Sequence, residues 1–255
     1  MCSPSFRECG QIEYLLAVKI EKLNSLEDFK DQATNNLHYL NKALSLGGFY
    51  LDILKDRLYT CKEGSVARRS SQTILFQILE ALVRWVSPIL SFTAEETWRL
   101  YHKDLESVHL SEWYEDWVCS SEGTITESDW LKVLNVRSEV NKVIESSRNN
   151  SVIGSALEAE IELLCTSDLQ RILSKFDEEL RFVFITSEAK VLPENGEGEE
   201  TEIEGLKIKI SKTQEQKCER CWHSRPEVGS IKDHPTLCNR CLDNIDGEGE
   251  DRLFA

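Results

Sequence analysis

The sequence lacks any apolar run long enough to cross a membrane, since a spanning helix needs roughly 18–20 consecutive apolar residues. No basic region precedes the first short apolar patch, so the beginning is a poor secretory signal peptide. We therefore expect a cytoplasmic protein without a membrane partner, whose thiols stay reduced. The 255 residues are 40% hydrophobic, which is enough for a folded core.

Positive charge is also scarce, with 30 Lys and Arg against 45 Asp and Glu and a formal net charge of −15. This argues against a protein that coats nucleic acid indiscriminately, because phosphate binding is driven by counterion release onto Lys and Arg. The charges are unevenly spread, however. Residues 188–205 hold seven Glu against one Lys, whereas residues 206–225 hold six Lys and Arg against two Glu. A local basic surface can attract phosphate even on an acidic protein.

Motifs of an autonomous active site are missing too. The chain has no glycine-rich phosphate loop, no HExxH and no GxSxG, and its five His are scattered. We assign no catalytic residue.

The first half of the chain has helical patterns. Residues 11–63 contain no proline, and Phe49, Ile53 and Leu54 share one helical face. A wide apolar stripe over residues 74–86 is typical of a bundle helix, which Pro88 should end.

Two further helices are predicted after this one. Thr93 and Glu96 have the spacing of a capping box, which predicts a short helix through Trp98. Apolar residues from Trp130 to Val143 then recur every three or four positions and predict another amphipathic helix.

The spacing of apolar residues changes after about residue 150, from the helical period to alternation. Residues 158–164 and 205–212 alternate as strands do, and the short apolar stretch 181–186 is also interpreted as a strand. A helix is predicted from Ser167 to about Leu180, and the acidic residues 188–205 are predicted to be a solvated loop or hairpin tip. We expect a mainly α protein with three domains. They are a helical bundle (1–120), a small α/β unit (121–212) and a cysteine-rich module (213–255).

Four of the nine cysteines form two C-x2-C pairs separated by sixteen residues. The pairs are Cys218 with Cys221 and Cys238 with Cys241. This spacing strongly indicates zinc, which takes four thiolates in a tetrahedron at about 2.3 Å. We predict one structural Zn²⁺, because four cysteines leave no open position for catalysis. The other cysteines are scattered and are interpreted as core or surface thiols: Cys2, Cys9, Cys61, Cys119 and Cys165.

The cysteine pairs have alternatives. Two disulfides or a redox-active pair are disfavoured in a reducing cell, and His223 or His234 could replace a cysteine as a ligand. Zinc is favoured because a segment of about 40 residues with few aliphatics cannot build its own core, whereas metal binding supplies roughly 10–16 kcal/mol. Trp222 either covers the metal site or presents a stacking surface for an unpaired base.

Several stretches together resemble the C-terminal part of bacterial isoleucyl-tRNA synthetases, over roughly residues 35–255. They are GGFYLDILKDRLYT (47–60), SVARRSSQTILFQILEALVRWVSPILSFTAEETW (65–98), VRSEVNKVIE (136–145), CERCWHSRPEVG (218–229) and CNRCLDNIDGEGEDRLFA (238–255). The resemblance implies an anticodon-binding bundle of the class I synthetase type, then a zinc knuckle, with tRNA(Ile) as the partner. Residues 1–34 fit this family poorly.

The same resemblance places ATP-dependent catalysis in a domain that this sequence does not show. The family's HIGH and KMSKS signatures have no counterpart here, and the editing domain is missing. We therefore expect a chain that is inactive alone, with a separate catalytic chain in trans as one possibility.

The tRNA contacts expected from the resemblance and the basic stretch are Arg220, Trp222, Lys207 and Lys212. On the bundle, Lys55, Arg57, Arg68 and Arg69 are candidates for phosphate contacts, with a solvated helix face as the alternative.

Two other functions remain open. Formamidopyrimidine-DNA glycosylases end in a similar finger but need an N-terminal proline next to a glutamate, whereas this chain begins Met-Cys-Ser-Pro-Ser, so we expect no DNA partner. A non-catalytic interaction protein or the product of a decayed gene is the third interpretation.

Overall fold

The computed structural model describes residues 48–104, 106–114 and 125–254. Residues 1–47, which include the start that fits the family poorly, and residues 115–124 therefore lie outside the described residues. The helices are α1 (Tyr50–Thr60), α2 (Val66–Val86), α3 (Ser91–Tyr101), α4 (Glu127–Asn149), α5 (Ser167–Leu173), α6 (Leu180–Phe184) and α7 (Asn239–Asp246), with 3-10 turns at Val108–Leu110, Ala156–Glu158 and Ser174–Glu179. The strands are β1 (Ala159–Cys165), β2 (Glu188–Pro193), β3 (Glu199–Glu200) and β4 (Leu206–Lys212). No described helix is long and apolar enough to cross a bilayer.

Helix α1 buries one face and exposes another. Ile53 and Leu54 are buried, and Phe49 packs against the same core, so the predicted shared face is confirmed. On the opposite side, Leu51, Lys55 and Tyr59 follow each other at intervals of four residues and lie at the surface. This spacing stacks side chains along one face of a helix.

The predicted bundle helix over residues 74–86 is the second half of α2. Ser65 caps its start by accepting a hydrogen bond from the N–H of Arg68 at 3.3 Å. The helix ends at Val86, shortly before Pro88, as the sequence predicts.

The predicted capping box at Thr93 is wrong, because α3 already begins at Ser91 and Leu90 occupies its N-cap position. The neighbouring carboxylate Glu95 instead accepts hydrogen bonds from the Ser107 hydroxyl at 2.7 Å and the Val108 N–H at 3.1 Å. This ties the 3-10 turn to α3. A small core of Val83, Ala94, Trp98 and Val108 lies beneath it.

Helix α4 forms as predicted. The Thr126 hydroxyl caps it by accepting from the Asp129 N–H at 3.1 Å. The apolar positions predicted to share a face are all buried: Trp130, Val133, Val136, Val140 and Val143. Together with residues of α1 and of the sheet they form the main core of the described part.

The sheet has the strand order β2-β1-β4-β3. Strand β1 runs parallel to β2 and antiparallel to β4, with Ile161 opposite both Ala189 and Ile210. The predicted strands over 158–164 and 205–212 are confirmed as β1 and β4. Both alternate between a buried and a more exposed face over their first residues, which is the pattern that the sequence carries.

The strand predicted over residues 181–186 is wrong, because these residues form α6 and the turn after it. Phe182, Val183 and Phe184 are all buried, and a short apolar run without alternation cannot be assigned by periodicity. The missing strand is β2, inside the acidic segment predicted to be a loop. The helix predicted from Ser167 to about Leu180 is also interrupted, because α5 ends at Leu173 and Asp177, with φ 44°, lies inside the 3-10 turn that follows.

The C-terminal residues pack onto the main core. The Phe254 ring lies 5.1 Å from that of Phe176, which in turn contacts Trp130 edge-on at 5.0 Å. The carboxylate of Glu179 accepts the N–H groups of Leu253 and Phe254, each at 2.7 Å. The end of the described chain is therefore fixed by both apolar burial and main-chain hydrogen bonds.

We expect Phe254→Ala to lower the free energy of unfolding by about 3 kcal/mol, because it leaves a cavity against Phe176. Urea unfolding followed by circular dichroism measures this loss. Leu253→Ala is the matched control, since its side chain is 64% exposed, and should change stability by no more than about 0.5 kcal/mol. Equal effects of the two substitutions would contradict the packing role of Phe254.

Candidate metal centre and nucleic-acid interface

The four clustered cysteines meet at one point. The Sγ atoms of Cys218, Cys221, Cys238 and Cys241 all lie within 4.8 Å of one another, and all four residues are buried. Val228 is buried beside them, and Leu237 packs against the group. Four converging thiols in a small apolar shell are a donor set suited to a single soft or borderline metal ion.

Different local structures present the two pairs. Cys218 and Cys221 lie on a tight turn, in which the Trp222 N–H donates to the Cys218 carbonyl and the Cys218 N–H to the His223 carbonyl, both at 2.9 Å. Cys238 is the N-cap residue of α7, so Cys241 lies in its first turn. Each two-residue gap thereby directs both sulfurs of a pair to the same side.

The sulfur geometry fits thiolate coordination better than the alternatives. Cys221 Sγ and Cys238 Sγ are 3.7 Å apart, far beyond a disulfide bond of about 2.05 Å. Two thiolates on one tetrahedral zinc ion would be about 3.8 Å apart. His223 is buried, but its Nδ1 lies 3.2 Å from the Cys221 carbonyl oxygen, and the converging group consists of the four thiols. The Cys238 N–H also points at Cys218 Sγ at 3.4 Å, as in the outer shell of metal thiolates.

Trp222 projects from this turn into solvent. Its side chain is 59% exposed, and its φ of 67° lies in the left-handed region that bulky residues rarely adopt. The Lys217 ammonium lies 5.3 Å from the centre of its ring. The indole therefore leaves most of its surface open rather than covering the cysteines.

Arg220, the other residue predicted from this turn, reaches across to the helical part. Its guanidinium donates to the carbonyl of Thr60 at 2.6 Å and to that of Tyr59 at 3.4 Å. These are among the last carbonyls of α1, where a cation also complements the helix dipole. Within the described residues its charge is not paired with a carboxylate, so Arg220 both holds the turn in place and keeps its positive charge.

The other predicted lysines form ion pairs at the surface. Lys207 pairs with Glu200 at 2.9 Å, Lys212 with Glu158 at 3.5 Å, and Lys55 with Asp52 at 2.6 Å. The hydrogen bond that Lys207 donates to Glu200 raises the pKa of Lys207, and the one that Lys55 donates to Asp52 raises the pKa of Lys55. Exposed pairs of this kind contribute little to stability, because solvent screens them.

The three predicted arginines of the helical part differ in exposure. Arg69 lies at the surface and donates to the Gln72 side chain at 3.0 Å. Arg68 is half-buried at the start of α2. Arg57 is only 1% exposed and lies on the buried face of α1. The structure therefore does not support a phosphate contact by Arg57.

Comparisons with known proteins agree with this geometry. Residues 24–163, more than half of the chain, match the family described as the anticodon-binding domain of tRNA ligase. This chain belongs to that family. Residues 215–244, which include all four clustered cysteines, match the family described as a zinc finger found in FPG and IleRS.

The anticodon-binding-domain protein is also similar to curated isoleucine--tRNA ligases. It is 47% identical over 227 residues to that of Acinetobacter baylyi, covering 86% of this chain and 24% of the relative. It is 50% identical to that of Shewanella baltica and 49% identical to that of Shewanella oneidensis, in each case over 84% of this chain and 23% of the relative. The chain thus spans about a quarter of the length of the curated relatives it matches.

A buried ion pair joins the anticodon-binding domain to the cysteine module. Asp56 of α1 accepts two hydrogen bonds from the guanidinium of Arg240, at 2.7 and 2.8 Å. Arg252 donates to the same carboxylate, and Glu250 contacts Arg240 at 3.1 Å. The Phe182 ring lies beneath both guanidinium groups. Sequence reasoning missed this network, because 184 residues separate Asp56 from Arg240.

The two arginines hold Asp56 in its ionised form. Burial alone would raise the pKa of this carboxyl, but the hydrogen bonds and charge of Arg240 and the charge of Arg252 outweigh burial, so the pKa is well below its usual range. Arg240 lies between Asn239 and Cys241, so the ion pair also fixes the helix that carries two of the clustered cysteines.

We expect Asp56→Asn to lower the free energy of unfolding by about 3 kcal/mol, because it leaves two buried arginines short of a counter-charge. Asp52→Asn on the same helix is the control and should cost at most about 1 kcal/mol, since Asp52 is 41% exposed. Urea unfolding at neutral pH measures both. Similar losses would show that the buried pair does not join the two parts.

The lowered pKa of Asp56 also predicts that the stability lost in Asp56→Asn depends on pH. A carboxyl whose folded pKa is lowered contributes stability above its unfolded pKa, about 3.9, and this contribution is lost as pH falls toward the folded pKa. The stability difference between the parent and Asp56→Asn should therefore be constant from about pH 7 to 5 and shrink below about pH 4. Taking the difference cancels acid effects that both proteins share.

Proposed function

We propose that this chain is a tRNA-binding part of an isoleucine--tRNA ligase, and that it holds the anticodon stem and loop of tRNA(Ile). The match to tRNA-ligase anticodon-binding domains and the similarity to isoleucine--tRNA ligases over more than four-fifths of the chain support this function. A cytoplasmic location, with reduced cysteines, is part of the proposal.

The observation that carries the proposal is the position of Trp222. An exposed indole on a turn fixed by buried cysteines, with Lys217 and Arg220 beside it, combines a flat stacking surface with positive charge. Proteins bind unpaired bases with this combination, and the bases of an anticodon loop are unpaired. The net charge of −15 is compatible with it, because the contacts are local.

The proposed contact set follows the exposure of each residue. Trp222 stacks on a base, and Arg220 offers its outward N–H groups to phosphate while it remains on α1. The exposed lysines leave their carboxylate partners and bind phosphates instead. This exchange costs little free energy, because exposed ion pairs are weak. The full set is Arg220, Trp222, Lys207, Lys212, Lys55, Arg68 and Arg69, and buried Arg57 is left out.

We also propose that the four cysteines hold one structural Zn²⁺. The converging thiols, their burial and the zinc-finger match support this metal. When bound, zinc would cross-link the Cys218–Cys221 turn to the start of α7. The four cysteines would then fix Trp222 relative to α7, and the pair of Arg240 with Asp56 would fix both relative to α1.

Aminoacylation itself requires a catalytic part that supplies ATP binding, and we propose that this function resides in a separate chain or segment. A DNA glycosylase shares the finger type, but the long match to anticodon-binding domains favours the tRNA ligase. A protein–protein interaction role remains the second hypothesis, and RNA-binding experiments discriminate between the two.

Metal content tests the structural site. Purified under reducing conditions, the parent should contain one zinc ion per chain by elemental analysis. Cys238→Ser should bind zinc at least about tenfold more weakly in a chelator competition, because it loses a thiolate ligand. Cys165→Ser, at an equally buried cysteine in β1, is the control and should keep its zinc. Retention of zinc by both variants would contradict the proposed ligand set.

RNA binding tests the function. Trp222→Ala should weaken binding of labelled tRNA(Ile) by about fivefold or more, measured by fluorescence anisotropy, because it removes a stacking partner. Zinc content should not change. Trp113→Ala is the control, since Trp113 is also half-exposed, at 51%, but lies in the segment after α3. Parent affinity should fall as salt rises, and excess unrelated tRNA should not displace the ligand. Absence of binding by the parent would disprove the proposal.

A further inference from the structure

A second exposed aromatic side chain lies beside the Arg220 contact. Tyr59, in the last turn of α1, is 76% exposed, more than Trp222 at 59%. Its hydroxyl and ring have no hydrogen-bonding or aromatic partner among the described residues. A ring this size normally buries most of its surface, so its position at the surface is a feature to be explained.

Arg220 places Tyr59 close to the Trp222 turn. The Arg220 guanidinium donates to the carbonyls of Tyr59 and Thr60, so the end of α1 and this turn are one arginine side chain apart. Trp222 follows Arg220 by two residues on the same turn. Tyr59 lies in the helical part and Trp222 in the cysteine module, and the Arg220 hydrogen bonds join these two parts directly.

Further contacts hold both sides of this contact in place. The Asp56–Arg240 pair fixes α1 against α7, and the cysteine group fixes α7 against the Trp222 turn. Tyr59 is three residues after Asp56, within one helical turn of it. Stacking surfaces on fixed elements bind a strand without the cost of ordering flexible side chains first.

The charge around Tyr59 favours a nucleic acid over a protein partner. Lys55 lies one turn before Tyr59 on the same exposed face of α1. The Arg220 guanidinium contacts the main-chain carbonyl of Tyr59. Asp52, which pairs with Lys55, is one further turn away, and the Asp56 carboxylate is occupied by arginines. A flat exposed ring between two cations is the arrangement that binds a base together with its phosphates.

We infer that Tyr59 is a second stacking position for an unpaired base of the same RNA strand that Trp222 contacts. This inference rests on the proposed function and adds to it that the helical part and the cysteine module bind one strand jointly. Arg220 is then a positioning residue that sets the relation between the two rings, in addition to any phosphate it contacts.

The test uses the whole chain with zinc bound and a hairpin RNA of the isoleucine tRNA anticodon stem and loop. Loop positions carry 2-aminopurine one at a time, since its fluorescence reports stacking on aromatic rings. Affinity is measured by anisotropy for the parent, Tyr59→Ala, Tyr59→Phe, Trp222→Ala and the Tyr59/Trp222 double alanine variant. Leu51→Ala is the matched control, because Leu51 lies on the same exposed face of α1, two turns from Tyr59.

We expect Tyr59→Ala to weaken binding about fivefold or more, and Tyr59→Phe to stay within about twofold of the parent, because the ring and not the hydroxyl stacks. A 2-aminopurine position whose fluorescence rises in Tyr59→Ala should differ from the position that responds to Trp222→Ala. Leu51→Ala should bind as the parent does.

Parent-like affinity and unchanged fluorescence of Tyr59→Ala, with a loss in Trp222→Ala, would overturn the inference and leave the proposed function intact. A parent that does not bind the hairpin would overturn both. Equal losses in Tyr59→Ala and Leu51→Ala would also overturn it, because a general disturbance of α1 would explain them.

Discussion

The carboxylate of Asp56 is the constraint on which the arrangement of this protein depends. It lies between the anticodon-binding domain and the cysteine module, where burial would make an unpaired charge too costly. Arg240 and Arg252 therefore have to be present around it, and both come from the C-terminal module. Because Arg240 is next to Cys241, the ion pair and the cysteine group act on the same short helix. The direction in which Trp222 projects follows from these two constraints together.

The cysteine module needs such support because it has little core of its own. The cluster around the four cysteines holds only the buried Val228 and the half-buried Leu237 among the described residues, and Phe254 packs on the main core instead. A segment this size without a metal or an external contact is not expected to be stable. Its links to the rest of the chain combine the packing of Phe254 on the main core with specific polar contacts. Besides the Asp56 network, Arg220 binds the end of α1, and the Ser224 N–H donates to the Ser187 hydroxyl at 2.6 Å. The module is thus positioned by hydrogen bonds and charge together with the burial of Phe254.

Charge is used locally in a protein that is acidic overall. Three of the four lysines in the basic stretch 206–225 pair with glutamates of the sheet or of the turn before it, such as Lys209 with Glu162 at 3.0 Å. These pairs lower the net positive potential of the sheet surface. Arg220 donates to carbonyl groups instead, and Lys217 lies against an indole ring. Positive charge not matched by a carboxylate is therefore placed next to the exposed aromatic surface, where an RNA strand would benefit from both.

Local sequence patterns were sufficient to predict a helix, a strand or a cysteine pair where residues close in the chain determine that structure. The C-x2-C pairs identified the converging cysteines, the 3.6-residue period identified α2 and α4, and alternation identified β1 and β4, because each signal depends on near neighbours in the chain. The same reasoning failed over residues 181–186 and at Thr93. There, an unbroken apolar run and a short polar motif are compatible with more than one structure, and packing against the core decides. Burial of Arg57, the Asp56–Arg240 pair and the exposure of Tyr59 were decided by the tertiary structure alone, because each depends on groups up to 184 residues apart that only folding brings into contact.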